Sequence, residues 1–337
     1  MQPNGPSPAL FFETVNAFQR TEALRTAIEL DLFTHIAAGH HTTELLAAAS
    51  NASARGVRIL ADYLVIVGFL RKTDGRYELT TDSKVFLTRS SSAYLGGALE
   101  FLLTPQLREC FTLLPDAVRR GGTAVSDEGT VSHDNPIWVA FARAMGPMMA
   151  PQAEMLVGLV GGERNRPLRV LDVAAGHGLF GIAFAKHYPS ARVIALDWPN
   201  VLAVASENAR REGIADRHAL LPGSAFEVDW GGPYDIVLLT NFLHHFDVPT
   251  CERLAEKAFA GLAPGGRAVT LEFVPDPDRV GPPPAAGFAL TMLATTAAGD
   301  AYTFAEYERI FAQGGFARSE FHLLPPTAQQ AVVSYRA

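Results

Sequence analysis

The feature that most constrains the fold of this chain is an alternation of short apolar runs with helix-like segments, which begins at about residue 168. The strand-like runs are LRVLDVA, ARVIALD, HALLPG, YDIVLLT and RAVTLEF, with two closing strands around His322 and Val333. Apolar residues recur at helical spacing over Leu179–His187, Val201–Glu212, Val248–Leu262 and Thr303–Gln313. Such alternation implies right-handed crossovers and a parallel sheet covered on both faces. It predicts an open α/β sheet of Rossmann type over about residues 168–337.

The first half of the chain has a mostly helical pattern, from about residue 10 to residue 160. Within it TTELLAAAS, SARGVRILADYLVIVGFL and RKTDGRYELT predict two helices and a hairpin turning at Asp74-Gly75, the order found in a winged helix. DNA binding needs several Lys or Arg contacts to phosphates. Nine basic residues between Arg20 and Arg89 are offset by eight acidic ones. We therefore favour a packing or dimerisation role, with a winged-helix ligand-sensing regulator as the alternative.

Bulk properties exclude several other classes. The 337 residues are 48% hydrophobic, enough for two domains with cores, and the net charge of −7 gives no footprint for nucleic acid or an anionic membrane. Cys110 and Cys251 are the only cysteines and lie far apart, which favours a reducing cytoplasmic setting. No apolar run reaches the length of a membrane span. We predict a flexible tail over residues 1–12. The linker VGGERNRPL separates a dimerisation domain with active-site helices, over 13–160, from a catalytic domain over 168–337.

The first strand-to-helix turn of the predicted sheet is VLDVAAGHGLFG, Val170–Gly181. Gly176 and Gly178 lack a β-carbon, so the backbone can turn tightly there and a ligand can approach. Ligands of such sheets bind at the carboxyl ends of strands. GHGLFG also matches the dinucleotide fingerprint GxGxxG, so a nicotinamide cofactor competes at this point with other adenosine-containing cofactors.

Two acidic residues narrow the choice of cofactor. Asp197 ends the next strand, twenty-one residues after Gly176, where a carboxylate can bind the two ribose hydroxyls of any adenosine. Asp172 lies four residues before the first glycine, where its charge would repel a pyrophosphate and attract a sulfonium and an amino group. The pair favours S-adenosyl-L-methionine, and an Asp172 that only caps its own turn is the structural alternative.

The segment NFLHHFD follows the strand YDIVLLT and places Asn241 and His244 at the same sheet edge. If this cofactor transferred its methyl group to an oxygen, the reaction would need alignment and removal of the acceptor proton. A phenol titrates near 10 and histidine near 6.5, so a neutral imidazole can accept that proton. His244 is the predicted base. A metal pair with His245 is a rival interpretation, although no third ligand stands nearby in sequence, and a neutral histidine packed at a helix start is another.

VLDVAAGHG, ALDW, LAPGGRAVTLEF and NFLHHFD resemble the successive motifs of class I S-adenosylmethionine-dependent O-methyltransferases. The resemblance is to the plant caffeate and flavonoid type and its bacterial natural-product relatives, and it covers almost the whole chain, including an N-terminal winged-helix domain that forms homodimers. It implies that Asp172, Ala174, Gly176 and Gly178 line the methionine end of the cofactor, that Asp197 holds the ribose, and that Trp198, Ser224, Phe226 and Asn241 complete the site. Ser224 stands where the family has an aspartate.

The resemblance also implies the catalytic and acceptor residues. His244 falls at the position of the family's base, and Glu272 matches the first of two glutamates that orient it. At the second, AAGDAY has Ala301 where glutamate is expected, so Asp300 is the candidate substitute. FARAMGPMM implies that Phe141 and Met145 contact cofactor or acceptor, with plain core packing as the alternative. Few charges surround Phe288, Met292 and the loop GPPPAAGF, which favours a small aromatic or polyketide-type acceptor. Methylation of oxygen, nitrogen or carbon stays open, and so does non-methylating chemistry on the same fold.

Overall fold

The computed structural model describes residues 5–130, 135–160 and 164–337. The chain divides into two compact units, residues 1–99 and 100–337. None of the helices in the described part of the chain has the length and apolar character that a membrane span requires.

The first unit contains the helices and the hairpin that the sequence predicts. Its elements are α1 (Ala9–Val15), α2 (Ala17–Glu29), α3 (Leu32–Ala37), α4 (Thr43–Ala49), α5 (Ala54–Ile66), β1 (Leu70–Thr73), β2 (Arg76–Leu79) and α6 (Thr81–Phe86). Thr42 and Ser53 cap α4 and α5, their side chains accepting hydrogen bonds from main-chain N–H groups. Asp74 and Gly75 both have positive φ, as a two-residue turn between antiparallel strands requires. The helix–helix–hairpin prediction is confirmed.

The N-terminal segment differs from the flexible tail that we expected over residues 1–12. Residues 1–4 lie outside the described residues, but helix α1 already begins at Ala9. Its aromatic and aliphatic side chains face outwards: Leu10 is 75% exposed, Phe11 63% and Phe12 56%, and Phe18 of α2 is 62% exposed. A helical apolar segment that finds no cover within its own chain is unusual for a tail, because it exposes a contiguous apolar surface.

The second unit combines a helical segment with the predicted sheet. Its helices are α7 (Leu99–Leu102), which spans the boundary between the units, α8 (Pro105–Thr112), α9 (Leu114–Arg120), α10 (Ile137–Ala144), α11 (Gly146–Val160), α12 (Leu179–His187), α13 (Pro199–Arg211), α14 (Val248–Gly261), α15 (Pro283–Thr295) and α16 (Phe304–Gln313). Its strands are β3 (Arg169–Val173), β4 (Arg192–Asp197), β5 (His218–Pro222), β6 (Tyr234–Thr240), β7 (Leu262–Glu272), β8 (Arg318–Leu323) and β9 (Gln330–Tyr335).

The seven strands form one sheet in the order β5-β4-β3-β6-β7-β9-β8. The first five strands in this order are parallel, as predicted, but β9 is antiparallel to both β7 and β8, so the sheet is mixed and the prediction of a parallel sheet does not hold at this edge. The reason is the short connection over residues 324–329: a parallel return needs a crossover of a dozen or more residues, whereas this length permits only a hairpin.

The order of strands reverses between β3 and β6, which is where ligands bind in open sheets of this kind. Right-handed crossovers run outwards in both directions from this point, so α12 and α13 cover one face and α14 covers the other. Strands β3 and β6 and the second half of β7 are almost completely buried between these layers. The sheet therefore holds the carboxyl ends of β3, β4 and β6 rigidly beside one another.

The helices before the sheet belong to the same compact unit as the sheet. Helix α10 packs against α13, and α11 packs against α12. We expected a boundary at the linker over residues 160–168, but the compact units part after Leu99, because these helical contacts join residues 100–160 to the sheet. Helix α15, in the segment that we expected to be a loop, begins with Pro283 and Pro284; proline is tolerated there because the N–H groups of the first turn have no helical partner.

Candidate active site

A cavity of about 1230 Å³ opens at the carboxyl ends of β3, β4 and β6. All of its lining residues lie between 101 and 297, within the second compact unit. The wall includes twelve of the sixteen predicted catalytic, cofactor-binding and substrate-binding residues, which are Phe141, Met145, Ala174, Gly176, Asp197, Trp198, Ser224, Phe226, Asn241, His244, Phe288 and Met292. Asp172, Gly178, Glu272 and Asp300 lie outside the wall.

The loop after β3 is folded around the carboxylate of Asp197. The main-chain N–H of Gly176 donates to Oδ2 of Asp197 at 2.8 Å, and the N–H of Trp198 donates to Oδ1 at 2.7 Å. Burial raises the pKa of Asp197 to about 6. Ala174 and Gly176 both have positive φ, so the chain turns sharply before helix α12. This arrangement holds the loop and the end of β4 in one fixed geometry.

Two residues of the glycine loop do not line the cavity, contrary to the implication that they contact the methionine end of the cofactor. Asp172 is completely buried: its Oδ2 accepts a hydrogen bond from the N–H of Gly181 at 2.9 Å, and burial raises its pKa to about 7. Gly178 is the N-cap of α12, and a β-carbon there would lie 2.9 Å from that of Ala205. Asp172 fixes the start of α12, and Gly178 allows α13 to approach it.

The part of the cavity wall next to Asp197 combines aromatic and polar side chains, which suits a flat, polar ring. Trp198, Ser224 and Phe226 line it beside Asp197. The N–H of Phe226 donates to the Ser224 hydroxyl at 3.2 Å, and the N–H of Gly223 donates to the main-chain carbonyl of Asp197 at 3.0 Å. The Phe226 ring packs edge-on against Phe246. These contacts order the loop after β5. The Ser224 hydroxyl only accepts in them and does not donate.

Asn241 is the first residue after β6 and has a φ of 53°, in the left-handed region that asparagine tolerates. Its amide oxygen accepts a hydrogen bond from the side chain of Gln329, and its amide nitrogen lies 3.9 Å from the sulfur of Met149. The N–H of Asn241 donates to the carbonyl of Leu271 on β7. The turn at Asn241 directs the next residues, a short 3₁₀ turn over Leu243–His245, across the end of the sheet.

His244 lies in this 3₁₀ turn with its ring held by Glu272, the last residue of β7. Nδ1 of His244 is hydrogen-bonded to Oε2 of Glu272. The other oxygen, Oε1, accepts hydrogen bonds of 2.9 Å from the N–H groups of Phe242 and Leu243. A carboxylate only accepts, so Nδ1 carries the proton and Nε2 has a lone pair. Nε2 has no partner among the described residues, so the lone pair is available to a ligand.

Asp300 does not take part in this arrangement, which corrects the expectation that it replaces the family's second glutamate. Its carboxylate is half-exposed and forms an ion pair of 3.2 Å with Arg279, while Oδ1 accepts a hydrogen bond from the N–H of Ala301. Only the main chain of Asp300 reaches the histidine, through an N–H that donates to the carbonyl of His244 at 3.0 Å. Ala301, at the position where the family has the second glutamate, is buried, and Glu272 is the carboxylate that the described residues place on the imidazole of His244.

Two further histidines line the cavity. His245 donates from Nδ1 to the carbonyl of Phe242 at 3.1 Å, and burial holds its pKa well below the usual value. His177, which lies between the two glycines of the loop, is 2% exposed, and burial lowers its pKa to about 4. The sequence did not identify His177 as a site residue, although the letters GHG place a polar ring at the most constrained point of the loop.

Much of the remaining wall is apolar, although the charged residues Arg108, Asp127, Glu128, Glu227 and Arg253 also line the cavity. Phe141 and Met145 come from the end of α10, while Phe288 and Met292 come from α15. The Phe288 ring stacks on Phe273 at 4.1 Å and contacts the His244 ring edge-on at 4.9 Å. Among the described residues, no three His, Cys, Asp or Glu side chains are grouped closely enough to hold a metal ion. An aromatic ring seated on this wall would lie against the imidazole that carries the free lone pair.

The loop geometry is compatible with the cofactor that the sequence favours. A β-carbon at Gly176 would meet only the carbonyl of Ala174 at 3.9 Å and the edge of Phe141 at 4.0 Å, so the inner side of the loop is open. Beside it, the Asp197 carboxylate retains acceptor capacity beyond its two main-chain donors, as recognition of a pair of ribose hydroxyls requires.

Comparisons with known proteins identify the family. An O-methyltransferase domain model matches residues 163–317, and an O-methyltransferase dimerisation domain model matches residues 12–89. The chain is similar to a protein from Nostoc punctiforme PCC 73102, provisionally designated an O-methyltransferase, whose crystal structure has 53% sequence identity and a TM-score of 0.95 over 98% of this chain and 100% of that chain.

Two curated bacterial relatives are more distant. The S-adenosyl-L-methionine-dependent methyl transferase PigF of Serratia sp. is 25% identical over 90% of this chain and 88% of its own length. The 3-hydroxy-5-methyl-1-naphthoate 3-O-methyltransferase of Streptomyces sahachiroi is 27% identical, again over 90% of this chain and 88% of its own length. A specific likeness to the plant caffeate type stays a prediction. The chain belongs to the S-adenosylmethionine-dependent O-methyltransferase family.

Proposed function

We propose that this enzyme methylates a hydroxyl group of a small aromatic or polyketide-type acceptor, with His244 as the general base. The observation that carries the proposal is the contact between Nδ1 of His244 and Glu272, which leaves Nε2 with a lone pair at the cavity wall. Glu272 is itself fixed by two main-chain N–H groups. A base whose tautomer and ring orientation are both fixed loses little freedom when it accepts a proton.

The proposed chemistry asks little more of the protein than alignment and a proton acceptor. The cofactor, when bound, supplies a methyl group on a positively charged sulfur. His244 accepts the hydroxyl proton of the acceptor at Nε2, and the resulting imidazolium is stabilised by the carboxylate of Glu272 on its far side. His244 and Glu272 are both buried, which lowers the local dielectric constant and strengthens their interaction.

We also propose how the cofactor lies in the cavity. Asp197 binds the ribose hydroxyls, Ala174 and Gly176 face the amino-acid end, and Trp198, Ser224, Phe226 and Asn241 complete the adenosine site. Support comes from the open inner side of the loop at Gly176 and from the position of the Asp197 carboxylate at the end of β4. Asp197→Ala is expected to weaken cofactor binding by about 2–4 kcal/mol, the loss of one or two charge-assisted hydrogen bonds.

The acceptor class follows from the apolar wall. Phe141, Met145, Phe288 and Met292 offer aromatic and thioether surfaces, and Met side chains adapt to ligands of irregular shape. The relative from Streptomyces sahachiroi acts, by its name, on a hydroxyl of a naphthoate. A flat aromatic acceptor would pack between these side chains with its hydroxyl directed at His244.

The test uses methyl-labelled S-adenosylmethionine with a panel of phenols, hydroxynaphthoates and matched methoxy compounds. We expect label in an ether product, and His244→Gln should lower turnover by roughly 10²–10⁴-fold while S-adenosylhomocysteine affinity, measured by calorimetry, stays nearly unchanged. Label on carbon or nitrogen would contradict the proposed reaction. Unchanged turnover in His244→Gln would contradict the base.

We further propose that the first compact unit forms a homodimer with a second copy of the chain and does not bind DNA. The exposed side chains of Leu10, Phe11, Phe12 and Phe18 form an apolar surface, and residues 12–89 match the family's dimerisation domain. Light scattering at micromolar concentration should give the mass of two chains, and Phe11→Ser together with Phe12→Ser should shift it towards one. A monomeric wild type, or salt-sensitive retention of duplex DNA, would contradict this proposal.

A further inference from the structure

Two sets of hydrogen bonds fix the His244 turn, by which we mean residues 242–246. Glu272 forms the first set, because it accepts from the ring of His244 and from two main-chain N–H groups of the turn. In the second set, the carbonyl groups of residues 243, 244 and 246 accept from donors of α14 and of residues 299–302. The proposed mechanism uses only the first set, so the second has no assigned role.

The segment over residues 299–302 follows the His244 turn closely. The main-chain N–H of Asp300 donates to the carbonyl of His244 at 3.0 Å. A β-carbon at Gly299 would lie 2.3 Å from the same carbonyl oxygen, so a larger residue would push the segment and the turn apart. The hydroxyl of Tyr302 donates to the carbonyl of Phe246, the last residue of the turn, at 2.5 Å. This segment therefore contacts the turn at two points, once from its main chain and once from a side chain.

Tyr302 supplies the side-chain contact and is itself buried. It is 3% exposed, and burial holds the pKa of its phenol well above the ordinary value, so the hydroxyl remains a proton donor. The thiol of Cys251 also lies 3.7 Å from the carbonyl of Phe246, but a thiol is a weak donor and this one is closer, at 3.2 Å, to the carbonyl of Leu243. The Tyr302 hydroxyl is thus the stronger donor to the end of the turn.

We propose that Tyr302 is a positioning residue for His244, which it holds against Glu272 by fixing the end of the turn. Its neighbour Ala301 offers the imidazole no carboxylate, so this segment acts on the main chain from which the ring projects. A displacement of about 1 Å at a reacting group can cost roughly 10²-fold in rate, so a loosened turn slows proton transfer without changing any group that reacts. The inference rests on the proposed role of His244 as the base.

Tyr302→Phe removes the donor and keeps the ring, and Tyr307→Phe is its matched control. The two rings pack edge-on at 5.9 Å, and the Tyr307 hydroxyl is buried without a hydrogen-bond partner among the described residues. With the acceptor that the labelled panel identifies, Tyr302→Phe should lower kcat roughly 10- to 100-fold. Tyr307→Phe should stay within about two-fold of wild type, because it removes no hydrogen bond. Calorimetry should show S-adenosylhomocysteine affinity nearly unchanged in both variants.

NMR of histidine-labelled protein gives a readout that does not depend on turnover. The Nδ1–H of His244, in contact with a carboxylate, should give a proton resonance far downfield, assigned by its absence in His244→Gln. Tyr302→Phe should shift this resonance and speed its exchange with water, whereas Tyr307→Phe should leave it in place. A tyrosine that only stabilised the fold would lower the unfolding temperature without moving this resonance.

The proposal requires that Tyr302→Phe change both kcat and the resonance, and either change without the other overturns it. An equal loss of S-adenosylhomocysteine affinity would also overturn it, because the whole site would then be disturbed. Thermal unfolding checks that the variants fold. Gly299→Ala keeps the tyrosine but separates residues 299–302 from the turn, so it provides a second test with the same expected shift of the resonance.

His244→Gln separates this inference from the function on which it rests. If His244→Gln leaves turnover unchanged, the base proposal fails, and the resonance alone then tests whether Tyr302 holds the ring. If His244→Gln abolishes most turnover while Tyr302→Phe behaves as Tyr307→Phe does, the base stands and only the positioning role of Tyr302 is rejected.

Discussion

Two carboxylates near the ends of strands that lie on either side of β6 are equally buried but have very different surroundings. Asp172 on β3 and Glu272 on β7 are both 0% exposed, and the two strands flank β6 on either side. Glu272 receives three contacts, from the N–H groups of Phe242 and Leu243 and from the ring of His244. Asp172 receives one, from the N–H of Gly181, and its Oδ1 has no partner.

The difference teaches that burial alone does not decide what a carboxylate does. Donors converge on Glu272 from two directions, so its orientation is fixed and it in turn fixes His244. Loss of water is the main cause that raises the pKa of Asp172 to about 7, and the nearby charge of Asp197 raises it further. One residue positions a reactive group, and the other stabilises a loop at a cost that depends on pH.

The largest effect is expected from Glu272→Gln. The N–H groups of Phe242 and Leu243 require an oxygen opposite them, so the amide must turn its NH₂ group towards Nδ1 of His244. Nδ1 then accepts, the proton moves to Nε2, and the lone pair that serves as base is lost. A wrong tautomer of this kind costs about 10⁴-fold in a serine protease triad. We expect turnover to fall by roughly 10²–10⁴-fold, by no more than in His244→Gln, measured by steady-state methyl transfer.

Asp172→Asn is the matched control, because it makes the same carboxylate-to-amide change at the same degree of burial. Its turnover at pH 7 should stay within a few-fold of wild type, since Asp172 lies outside the cavity wall. Equal losses of turnover in the two variants would show that the effect at Glu272 reflects a general disturbance of the sheet edge and not the tautomer of His244.

A second prediction concerns stability and pH. The folded pKa of Asp172, about 7, lies above its unfolded value near 3.8, so the folded state binds more protons between these values. Stability contributed by the protonated form is therefore lost as pH rises from about 4 to about 7, by an amount on the order of 4 kcal/mol. Relative to wild type, Asp172→Asn should become progressively more stable across this window, measured by urea unfolding at a series of pH values.

His177 and His245 make the free energy of unfolding change with pH in the opposite direction to Asp172, which makes this test more specific. The folded pKa values of His177 and His245 lie below the ordinary 6.5, so their contribution is present above that value and is lost as pH falls through it. In Asp172→Asn, stability should therefore rise between about pH 4 and pH 6.5, because of the two histidines. In wild type the loss of stability caused by Asp172 offsets this rise. A constant difference between the two proteins at all pH values would contradict the raised pKa.

The fold was predictable to the extent that local patterns determine it. Strand–helix alternation gave the five parallel strands, and Asp74-Gly75 gave the hairpin turn, because each depends on neighbouring residues alone. The reversed direction of β9 was missed, since it depends on the length of a loop after Leu323. Helix α15 was missed because its prolines, which are usual turn residues, occupy a first turn where they are tolerated.

The site was predictable in its residues but not in their partners. Asp197, His244 and Glu272 follow strands whose carboxyl ends share one edge, so their proximity could be inferred. The inward turn of Asp172 towards Gly181, by contrast, depends on how closely α12 packs, and no periodicity reports that distance. His177 escaped notice for a similar reason: its ring is held by the N–H of Leu179, two residues later, which becomes a donor to the ring only in the folded turn.

The smallest effect is expected from Asp300→Asn, which tests the remaining difference between sequence and structure. The Asp300 carboxylate pairs with Arg279 in a half-exposed setting, and Arg279 keeps contacts of 2.7 and 2.8 Å with Glu306 without it. An exposed pair is worth about 0–1 kcal/mol. The contact to His244 comes from the main-chain N–H, which the substitution retains. Turnover and KM should therefore remain within about two-fold of wild type, because proton transfer involves no change at Asp300. A loss of turnover approaching that of Glu272→Gln would show that the Asp300 carboxylate turns towards the imidazole during the reaction. Asp300 would then be a second orienting acid, as the sequence predicts.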